Sequence, residues 1–354
     1  MPKYNITTTL LQNLTAIESI KKSFVPFDIK PDYLASLRYN ARILSTYSSM
    51  RMEGNRLTME EVAAAVENPS ADISREEKEV RSYYRALGEV ERTALSGRKI
   101  SESMIRRLHS LVEGKRRPSP YRETENPIRD NHTGKVVYIP PEAEQVPKLM
   151  SEFVEWISVS DSLATPIAAG ISHYQFMRIH PYFDGNGRTA RLLAMLVMYL
   201  GGYDMGGIYS VEEYYANDLQ AYYNAFDAPI RNGNRTIKRD MDVTMWLEYY
   251  TGALSTSFQK ARETVMSKKS ARDFALRELN LKQRKILELF EEFQEVSAAQ
   301  IAEYMEVSAR SAAALSKEWI SEGFLVYANT SKKARSYRLS PKYERLVISI
   351  QKTA

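Results

Sequence analysis

Apolar residues recur every three or four positions through most of the first 270 residues, which is the spacing of amphipathic helices. The stretch 32–52 shows this pattern, follows Pro31 and stops before Gly54, a residue suited to the left-handed position that ends a helix. Thr58 and Glu61 form a capping box that opens another helix. Other helical patterns cover 75–95, 102–113, 146–159, 164–179, 188–200, 211–226 and about 241–268.

A different pattern occupies residues 114–141, which are rich in Pro, Arg and Asn. The turn-forming sequence Asn-His-Thr-Gly at 131–134 precedes an apolar run that includes Val136, Val137, Tyr138 and Ile139. A turn signal beside a β-prone run predicts a short β-hairpin within an otherwise helical region.

The charged, weakly apolar stretch 267–280 predicts a boundary between two parts of the chain. Beyond it, helical patterns at 282–293, 296–305 and 307–320 are followed by strand-like segments at 324–327 and 336–339. Three helices and a hairpin in this order are typical of a winged helix-turn-helix. We therefore expect a mainly α protein with an N-terminal helical region at 1–74, a helical core at 75–268 and a small winged-helix domain at 280–345.

Composition narrows the possible classes of function. The chain has 354 residues, of which 44% are apolar and 26% are charged, so we expect a globular protein of about two domains. Its net charge of +5 is small and does not indicate nucleic acid as the main partner. The absence of cysteine excludes disulfides, thiolate zinc sites and cysteine nucleophiles. No signal-peptide pattern opens the sequence, and the apolar stretch 192–202 is too short to span a bilayer, so we expect a cytoplasmic protein without a membrane partner.

The segment 180–191, His-Pro-Tyr-Phe-Asp-Gly-Asn-Gly-Arg-Thr-Ala-Arg, lies between two predicted helices and carries the chemistry. Its Gly-x-Gly-x-x-Ala spacing resembles a dinucleotide fingerprint, but a helix rather than a strand precedes it. Its Asp-x-Asn start resembles a calcium loop, but Arg188 and Met195 occupy positions that require oxygen ligands. No Gly-x-x-x-x-Gly-Lys-Ser/Thr phosphate loop occurs in the chain. A plain turn remains the simplest alternative.

The residues around this turn favour a nucleotide phosphate site. Glycines before a helix leave backbone N–H groups at its positive end open to an anion. Arg188 and Arg191 lie three apart on the same face and can donate to the same phosphates. Asp184 is placed to hold Mg²⁺ that bridges phosphate oxygens, and His180 is then available as a general base for an attacking hydroxyl.

The segment resembles the Fic-family motif His-Pro-Phe-x-Asp/Glu-Gly-Asn-Gly-Arg-x-x-Arg at every position except Tyr182, whose hydroxyl would need a partner. The resemblance implies that AMP is transferred from ATP to a Ser, Thr or Tyr hydroxyl of a target protein, or of the chain itself, with release of pyrophosphate. His180 would deprotonate the hydroxyl and Asp184 would bind Mg²⁺. The remaining roles it implies are an anion hole at Gly185, Asn186 and Gly187, phosphate contacts at Arg188 and Arg191, and a target-docking flap at Val136, Val137, Tyr138 and Ile139.

A second signature of the same family lies upstream. The sequence from Ser49 to Gly54 resembles the inhibitory motif Ser/Thr-x-x-x-Glu-Gly/Asn, on the predicted helix at about 32–54. By this resemblance Glu53 pairs with Arg191 and competes with the γ-phosphate for the guanidinium. We therefore expect an autoinhibited enzyme.

Several further candidates have two interpretations. His109, His132 and His173 are better explained as core or loop residues than as metal ligands.

Tyr223, or the neighbouring Tyr222, is the candidate for lining the adenine pocket, although the helical spacing of these tyrosines also suits a core. Residues 308–338 carry six basic residues against two acidic ones, which suits DNA phosphates, but the predicted recognition helix has few side chains that read bases.

Alternative functions remain at this point. The same site could remove AMP from a modified protein or use another donor, and a DNA-binding regulator with a nucleotide-sensing Fic core is an alternative of a different class. A homodimer would be consistent with related sequences.

Overall fold

The computed structural model describes residues 2–24, 31–67, 74–129, 136–227, 241–331, 335–344 and 347. The chain divides into two compact units, Met1–Arg262 and Glu263–Ala354. The prediction of a mainly α protein is confirmed. Within the described residues, no helix has an apolar stretch long enough to cross a bilayer.

The first unit is built from helices and a two-stranded hairpin. Its elements are α1 (Thr8–Ser23), α2 (Pro31–Met52), α3 (Met59–Glu67), α4 (Arg75–Leu95), α5 (Glu102–Val112), β1 (Ile128–Arg129), β2 (Val136–Tyr138), α6 (Val146–Ser158), α7 (Thr165–Ile179), α8 (Asn186–Leu200), α9 (Glu212–Asn217), α10 (Leu219–Asp227) and the first part of α11 (Thr244–Glu278).

The core of this unit forms around α7 and α8, whose side chains are buried along almost their whole length. Helix α11 lies close to α7 at Gly170, where an added Cβ would be 2.8 Å from Cδ2 of Leu247. The indole of Trp246 donates to the carbonyl of Gly170 over 2.8 Å, so the absence of a side chain at Gly170 permits both the close packing and the hydrogen bond. The loop that joins α7 and α8 therefore begins and ends on buried helices.

Helix ends follow the local sequence signals. Thr58 and Glu61 exchange hydrogen bonds of 3.2 and 2.7 Å, which confirms the predicted capping box before α3. Gly54 adopts a positive φ of 88° just after α2, as expected of a helix-ending glycine. Glu53 is therefore fixed in the turn that closes α2.

The structure differs from the predicted pattern at several helices. The single helix predicted over 211–226 is broken at Asp218, whose carboxylate accepts a 2.9 Å hydrogen bond from the backbone N–H of Ala221 and so starts a new helix. Helix α1, which was not predicted, is capped by Thr7, whose hydroxyl accepts from the N–H of Leu10 over 3.1 Å. The boundary between the units falls inside α11, which continues through most of the charged stretch 267–280.

The hairpin pairs β1 with β2 antiparallel, with Ile128 opposite Tyr138 and an irregular register. The predicted strand is thus present at Val136–Tyr138. The predicted turn at 131–134, which includes His132, lies outside the described residues.

The second unit has its own hydrophobic core, centred on Trp319 and Phe324. A three-stranded sheet completes it, in which the central strand pairs antiparallel with both of its neighbours, in the order β3 (Val296–Ser297), β5 (Ser336–Leu339), β4 (Leu325–Asn329). Its described elements are α12 (Leu281–Glu292), β3 (Val296–Ser297), α13 (Ala298–Met305), α14 (Ala309–Ser321), β4 (Leu325–Asn329), β5 (Ser336–Leu339) and α15 (Pro341–Glu344). The assignment of this unit as a winged helix remains a prediction.

Candidate active site

The loop between α7 and α8 begins at His180, which has a left-handed backbone with φ of 50°. Its N–H still donates to the carbonyl of Phe176 over 3.0 Å, so the residue ends α7 and turns its side chain out of the helix. The imidazole Nδ1 lies 3.3 Å from the carbonyl of Met177. If Nδ1 carries the proton for that contact, the lone pair of Nε2 is left to accept a proton.

The pKa of His180 favours the neutral imidazole. Burial lowers this pKa to about 4, an effect that the hydrogen bond with the Met177 carbonyl only partly offsets. The imidazole is therefore unprotonated near neutral pH, which is the state that a general base requires.

Arg122, in the segment between α5 and the hairpin, holds the same loop from outside. Its Nε donates to the carbonyl of His180 over 2.9 Å, and its Nη2 donates to the carbonyl of Pro141 beyond β2. The backbone N–H of Arg122 also donates to the carbonyl of Pro181 over 2.9 Å. This single buried guanidinium fixes the position of the histidine relative to the hairpin.

The side chain of Asn186 closes the loop from inside. Its Oδ1 accepts from the N–H of Tyr182 over 3.1 Å, and its Nδ2 donates to the carbonyl of the same residue over 2.7 Å. Oδ1 and one N–H of the amide are thus used within the loop, while the backbone N–H of Asn186 belongs to the first turn of α8. The side chain instead sets the shape of the loop.

The N-terminus of α8 has the features of an anion site. Gly185 precedes the helix with φ of 74°, and no side chain caps the helix. The backbone N–H groups of the first turn therefore retain free hydrogen-bonding capacity at the positive end of a 15-residue helix. The predicted anion hole at Gly185, Asn186 and Gly187 occupies this turn, although the N–H of Gly185 already donates to Oδ1 of Asp184 over 2.6 Å.

Asp184 lies at the mouth of the site with its side chain 64% exposed. Besides the bond to Gly185, its Oδ1 accepts from Nη2 of Arg188 over 3.0 Å. The carboxylate is thus oriented toward the start of α8 while it remains accessible to an ion from solvent.

Arg188 is buried and shared between two carboxylates. Its Nη2 also donates to Oε1 of Glu113 over 3.2 Å, at the end of α5. The carboxylate of Glu113 lies against the anion site, because a Cβ added to Gly185 would be 2.6 Å from the same Oε1. Only a glycine at 185 allows Glu113 to approach the start of α8 this closely.

Arg191 is held from α2. Its Nε donates to Oγ of Ser49 over 2.9 Å, and its Nη2 donates to the carbonyl of Ser49 over 3.2 Å and to Oε1 of Glu53 over 2.7 Å. The arginine side chain is only 3% exposed, whereas that of Glu53 is 34% exposed. The carboxylate of Glu53 also lies against the first turn of α8, because a Cβ added to Gly187 would lie 2.7 Å from Oε1 of Glu53.

Tyr182, the position where the sequence departs from the motif, is buried in the loop. Its ring stacks on His109 with centroids 3.5 Å apart. Its hydroxyl is buried without a hydrogen-bond partner among the described residues, so the partner expected from the sequence is absent there. His109 is a structural residue, since its Nε2 lies 2.9 Å from the carbonyl of Asp184.

Comparison with known proteins agrees with this geometry. Residues 99–198, which contain α5, the hairpin and the whole His180–Arg191 loop and helix start, match the model of the Fic/DOC family. Residues 99–198 form a Fic domain. The helix that supplies Ser49 and Glu53 lies N-terminal to the matched region.

Curated relatives of the Fic domain are enzymes by name. "Protein adenylyltransferase Fic" of Nematostella vectensis is 33% identical over 166 residues, which are 44% of this chain and 37% of the relative. "Protein adenylyltransferase fic-1" of Caenorhabditis elegans is 31% identical over 225 residues, 60% of this chain and 42% of the relative. The chain thus spans about two fifths of the length of these relatives.

Solved structures share the fold beyond the Fic domain. A Fic family protein from Desulfovibrio desulfuricans G20 matches 96% of this chain and 98% of its own, with a TM-score of 0.67 and 22% identity. Fic-1 from C. elegans matches 73% of each chain, with a TM-score of 0.59 and 21% identity. At these identities the likeness concerns the fold alone.

The hairpin borders the Fic-domain loop. Tyr138 is buried, its hydroxyl donates to the carbonyl of Arg178 over 2.6 Å, and its ring lies 3.8 Å from the Arg178 guanidinium carbon. Ile139 is 42% exposed and Val136 is half-buried, while the side chain of Val137 lies outside the described residues. Tyr138 therefore anchors the strand to α7, and Ile139 faces outward, as a docking surface requires.

The two candidate adenine residues have different surroundings. Tyr222 is buried and its hydroxyl lies 3.0 Å from Nε2 of His173, which is itself fully buried. Tyr223 is 43% exposed, with its ring centroid 5.3 Å from that of Tyr222. Of the two, only Tyr223 presents a ring on which a base could stack.

Sequence reasoning missed Glu113 and Arg122, which contact the motif of the Fic domain directly. They lie 75 and 58 positions from the residues they contact, so no local spacing reveals them. A glutamate and an arginine in a loop-rich segment are ordinary surface residues by sequence, and only the fold brings them under the loop.

The basic residues of the second unit are only partly described. Arg310, Lys317, Arg335 and Arg338 are exposed, whereas Lys332 and Lys333 lie outside the described residues. DNA binding by residues 308–338 and a homodimer remain predictions, as does a cytoplasmic location.

Proposed function

We propose that the chain is an autoinhibited protein adenylyltransferase that transfers AMP from ATP to a hydroxyl of a target protein. The observation that carries the proposal is the convergence of His180, Asp184 and Arg191 on the uncapped start of α8, with Glu53 on the Arg191 guanidinium. The names of the curated relatives support the same reaction.

Each group has a defined part in the proposed step. The hydroxyl oxygen of the target attacks the α-phosphorus and forms a new P–O bond, while the bond to the β-phosphate oxygen breaks and pyrophosphate leaves. Nε2 of His180 takes the hydroxyl proton. Backbone N–H groups of the first turn of α8 stabilise the charge on the α-phosphate, and Arg188 and Arg191 donate to the β- and γ-phosphates.

The donor set fits a magnesium ion held jointly with the nucleotide. Asp184 offers an accessible carboxylate, and Mg²⁺ at nucleotide sites is commonly bound by one or two carboxylates together with substrate phosphates. No group of three or more His, Cys, Asp or Glu among the described residues could hold an ion alone, which agrees with a shared site. When bound, the ion neutralises negative charge on the phosphates as pyrophosphate departs.

The contact of Glu53 with Arg191 supports the proposed inhibition. A carboxylate 2.7 Å from Nη2 occupies the donor that the γ-phosphate would need, and its negative charge repels that phosphate. ATP that still binds would be held with its α-phosphate out of line for attack. Release of Glu53 would restore the donor.

Two surfaces around the loop are proposed to recognise the target protein and the adenine of ATP. We infer that the hairpin, with Ile139 facing outward, adds an extended target segment as a further strand. Tyr223 is the proposed stacking surface for adenine, and Tyr222 supports it from the core.

The reaction is tested by labelling. The Glu53→Gly variant is incubated with Mg²⁺ and ATP labelled on either the α- or the γ-phosphate, and protein gels are read for label. We expect the α-label, but not the γ-label, to be transferred to protein. The double variant Glu53→Gly, His180→Ala should transfer neither label. Transfer of the γ-label would show phosphorylation, and release of AMP from a modified protein without transfer would show the reverse reaction; either result would contradict the proposal.

A further inference from the structure

A cleft lined by many charged residues opens beside the proposed active site. It has a volume of about 720 Å³ and lies between α3, α4 and α5, with Asp184 and Arg188 on its wall. The proposed reaction uses only that wall, so the rest of the cleft has no part in the mechanism as derived above.

Helix α4 lines the cleft with a row of cations. Arg75, Lys78, Arg81 and Arg85 all line it, at the three- and four-residue spacing that places side chains on one face of a helix. Arg75 is paired with Glu79 over 2.9 Å. With Arg188, five cations line the cleft against three carboxylates, those of Glu79, Glu113 and Asp184.

Two cations of this row are available to a ligand. Lys78 is exposed and makes no ion pair with another described residue. Arg85 is exposed, and its described hydrogen bonds go to neutral groups, the carbonyl of Arg81 at 3.3 Å and the hydroxyl of Ser82 at 3.4 Å. An anion in the cleft could therefore bind both without breaking an ion pair.

Two of the three lining carboxylates lie beside Arg188, whereas the third, Glu79, belongs to the α4 row. Asp184 and Glu113 both accept from Nη2 of Arg188, within the wall shared with the proposed active site. The cleft thus places two carboxylates and an arginine at one end and the α4 cations along one side. This separation suits a phosphate anion that carries a divalent cation.

We propose that this cleft is a subsite for magnesium pyrophosphate, the leaving product of the reaction proposed above, on whose identity this inference rests. Once the bond between the α-phosphorus and the bridging oxygen has broken, the product lies beside Asp184 and Arg188, on the wall that the cleft shares with the proposed active site. The α4 cations then hold it outside the catalytic loop. The subsite serves departure of the product and makes pyrophosphate an inhibitor.

The test measures binding of pyrophosphate with Mg²⁺ by calorimetry to the full chain and to two charge-reversal variants. Lys78→Glu, Arg85→Glu changes the cleft, whereas Arg98→Glu, Lys99→Glu makes the same charge change at exposed residues that do not line it. We expect the Kd for pyrophosphate to rise at least about fivefold in the first variant and by less than about twofold in the control. Equal affinity in the two variants would overturn the subsite.

Kinetics separate this inference from the proposed function. In the Glu53→Gly background the cleft variant should raise the inhibition constant of pyrophosphate with little change in the KM for ATP. An equal rise in the inhibition constant of pyrophosphate and in the KM for ATP would show that the cleft belongs to the ATP site and would overturn the inference. If the chain transfers no AMP but the cleft variant still binds pyrophosphate more weakly than the control variant, the proposed function is refuted, and the cleft remains an anion site without the role of a product subsite. Lys78→Gln, Arg85→Gln, with a thermal unfolding curve for each variant, controls for misfolding.

Discussion

Oε1 of Glu53 lies 2.7 Å from Nη2 of Arg191, although 138 positions separate the two residues in the chain. The glutamate reaches the arginine from the turn after α2, across the start of α8 where Gly187 leaves room for it. The pair therefore joins a segment outside the Fic domain to the last arginine of its motif. This arrangement places a carboxylate where the proposed reaction needs a phosphate.

Ser49 should contribute to the same restraint. Its hydroxyl and carbonyl both accept from Arg191, so Ser49→Ala removes one of the contacts that hold the guanidinium toward Glu53. We expect self-labelling by Ser49→Ala to fall between that of the wild type and that of Glu53→Gly, measured as the initial rate with α-labelled ATP. Ser48→Ala, at a buried serine one position away, is the control. Labelling by Ser49→Ala no faster than that of this control would argue against the role.

Buried histidines should make the fold sensitive to mild acid. Burial lowers the pKa of His173 to about 3 and that of His109 to about 4, from an ordinary value of 6.5. Between pH 6.5 and 4 the unfolded chain binds protons that the fold excludes, so stability falls as the pH is lowered through this window. Each histidine should contribute about 1–2 kcal/mol of loss between pH 7 and 5.

Urea unfolding at pH 7 and pH 5 measures this loss, since most carboxylates stay ionised in that interval. The free energy of unfolding of His173→Gln should change less between the two pH values than that of the wild type, because the contribution of His173 is removed. Equal free energies of unfolding at the two pH values in the wild type would contradict the prediction.

The hydroxyl of Tyr182 should destabilise the fold. It is buried without a partner among the described residues, and an unpaired buried hydroxyl has an unfavourable desolvation free energy. Tyr182→Phe should raise the free energy of unfolding by about 1 kcal/mol. Tyr138→Phe is the matched comparison, because it removes a hydroxyl that donates to Arg178 over 2.6 Å, and it should lower the free energy by about 1 kcal/mol. A loss of stability in both variants would mean that Tyr182 is paired in solution.

Glu113 should stabilise the start of α8 through Arg188. Glu113→Ala leaves a buried guanidinium with Asp184 as its only carboxylate partner among the described residues and should lower the free energy of unfolding by about 1–2 kcal/mol. Glu89→Ala, which removes the partner of the exposed Arg92, should have little effect by comparison. Chemical denaturation of the two variants decides the point; equal losses would show that the Glu113 contact is no stronger than a surface pair.

Much of this architecture could be predicted from the chain. The limits of α4 and the stop at Gly54 follow from caps and periodicity, because these signals act within one or two turns. The break at Asp218 was missed, because apolar residues continue at helical spacing both before and after this aspartate.

The site was predictable only where its residues are consecutive. The run from His180 to Arg191 identifies the loop and helix start, whereas Glu113 and Arg122 become neighbours of the loop only through packing of α5 and the hairpin segment. Glu53 was found because the residues around it resemble a family signature, not because any periodicity in the sequence places it on Arg191.

The most direct test compares initial rates of self-labelling for wild type, Glu53→Gly and Glu53→Gly, His180→Ala, each with Mg²⁺ and α-labelled ATP. Glu60→Gly, at an exposed glutamate of α3, controls for loss of a nearby carboxylate. The account predicts slow labelling by wild type and Glu60→Gly, labelling faster by about tenfold or more in Glu53→Gly, and none in the double variant. Equal rates in wild type and Glu53→Gly would contradict the inhibitory role of Glu53, and labelling that persists without His180 would contradict the proposed base.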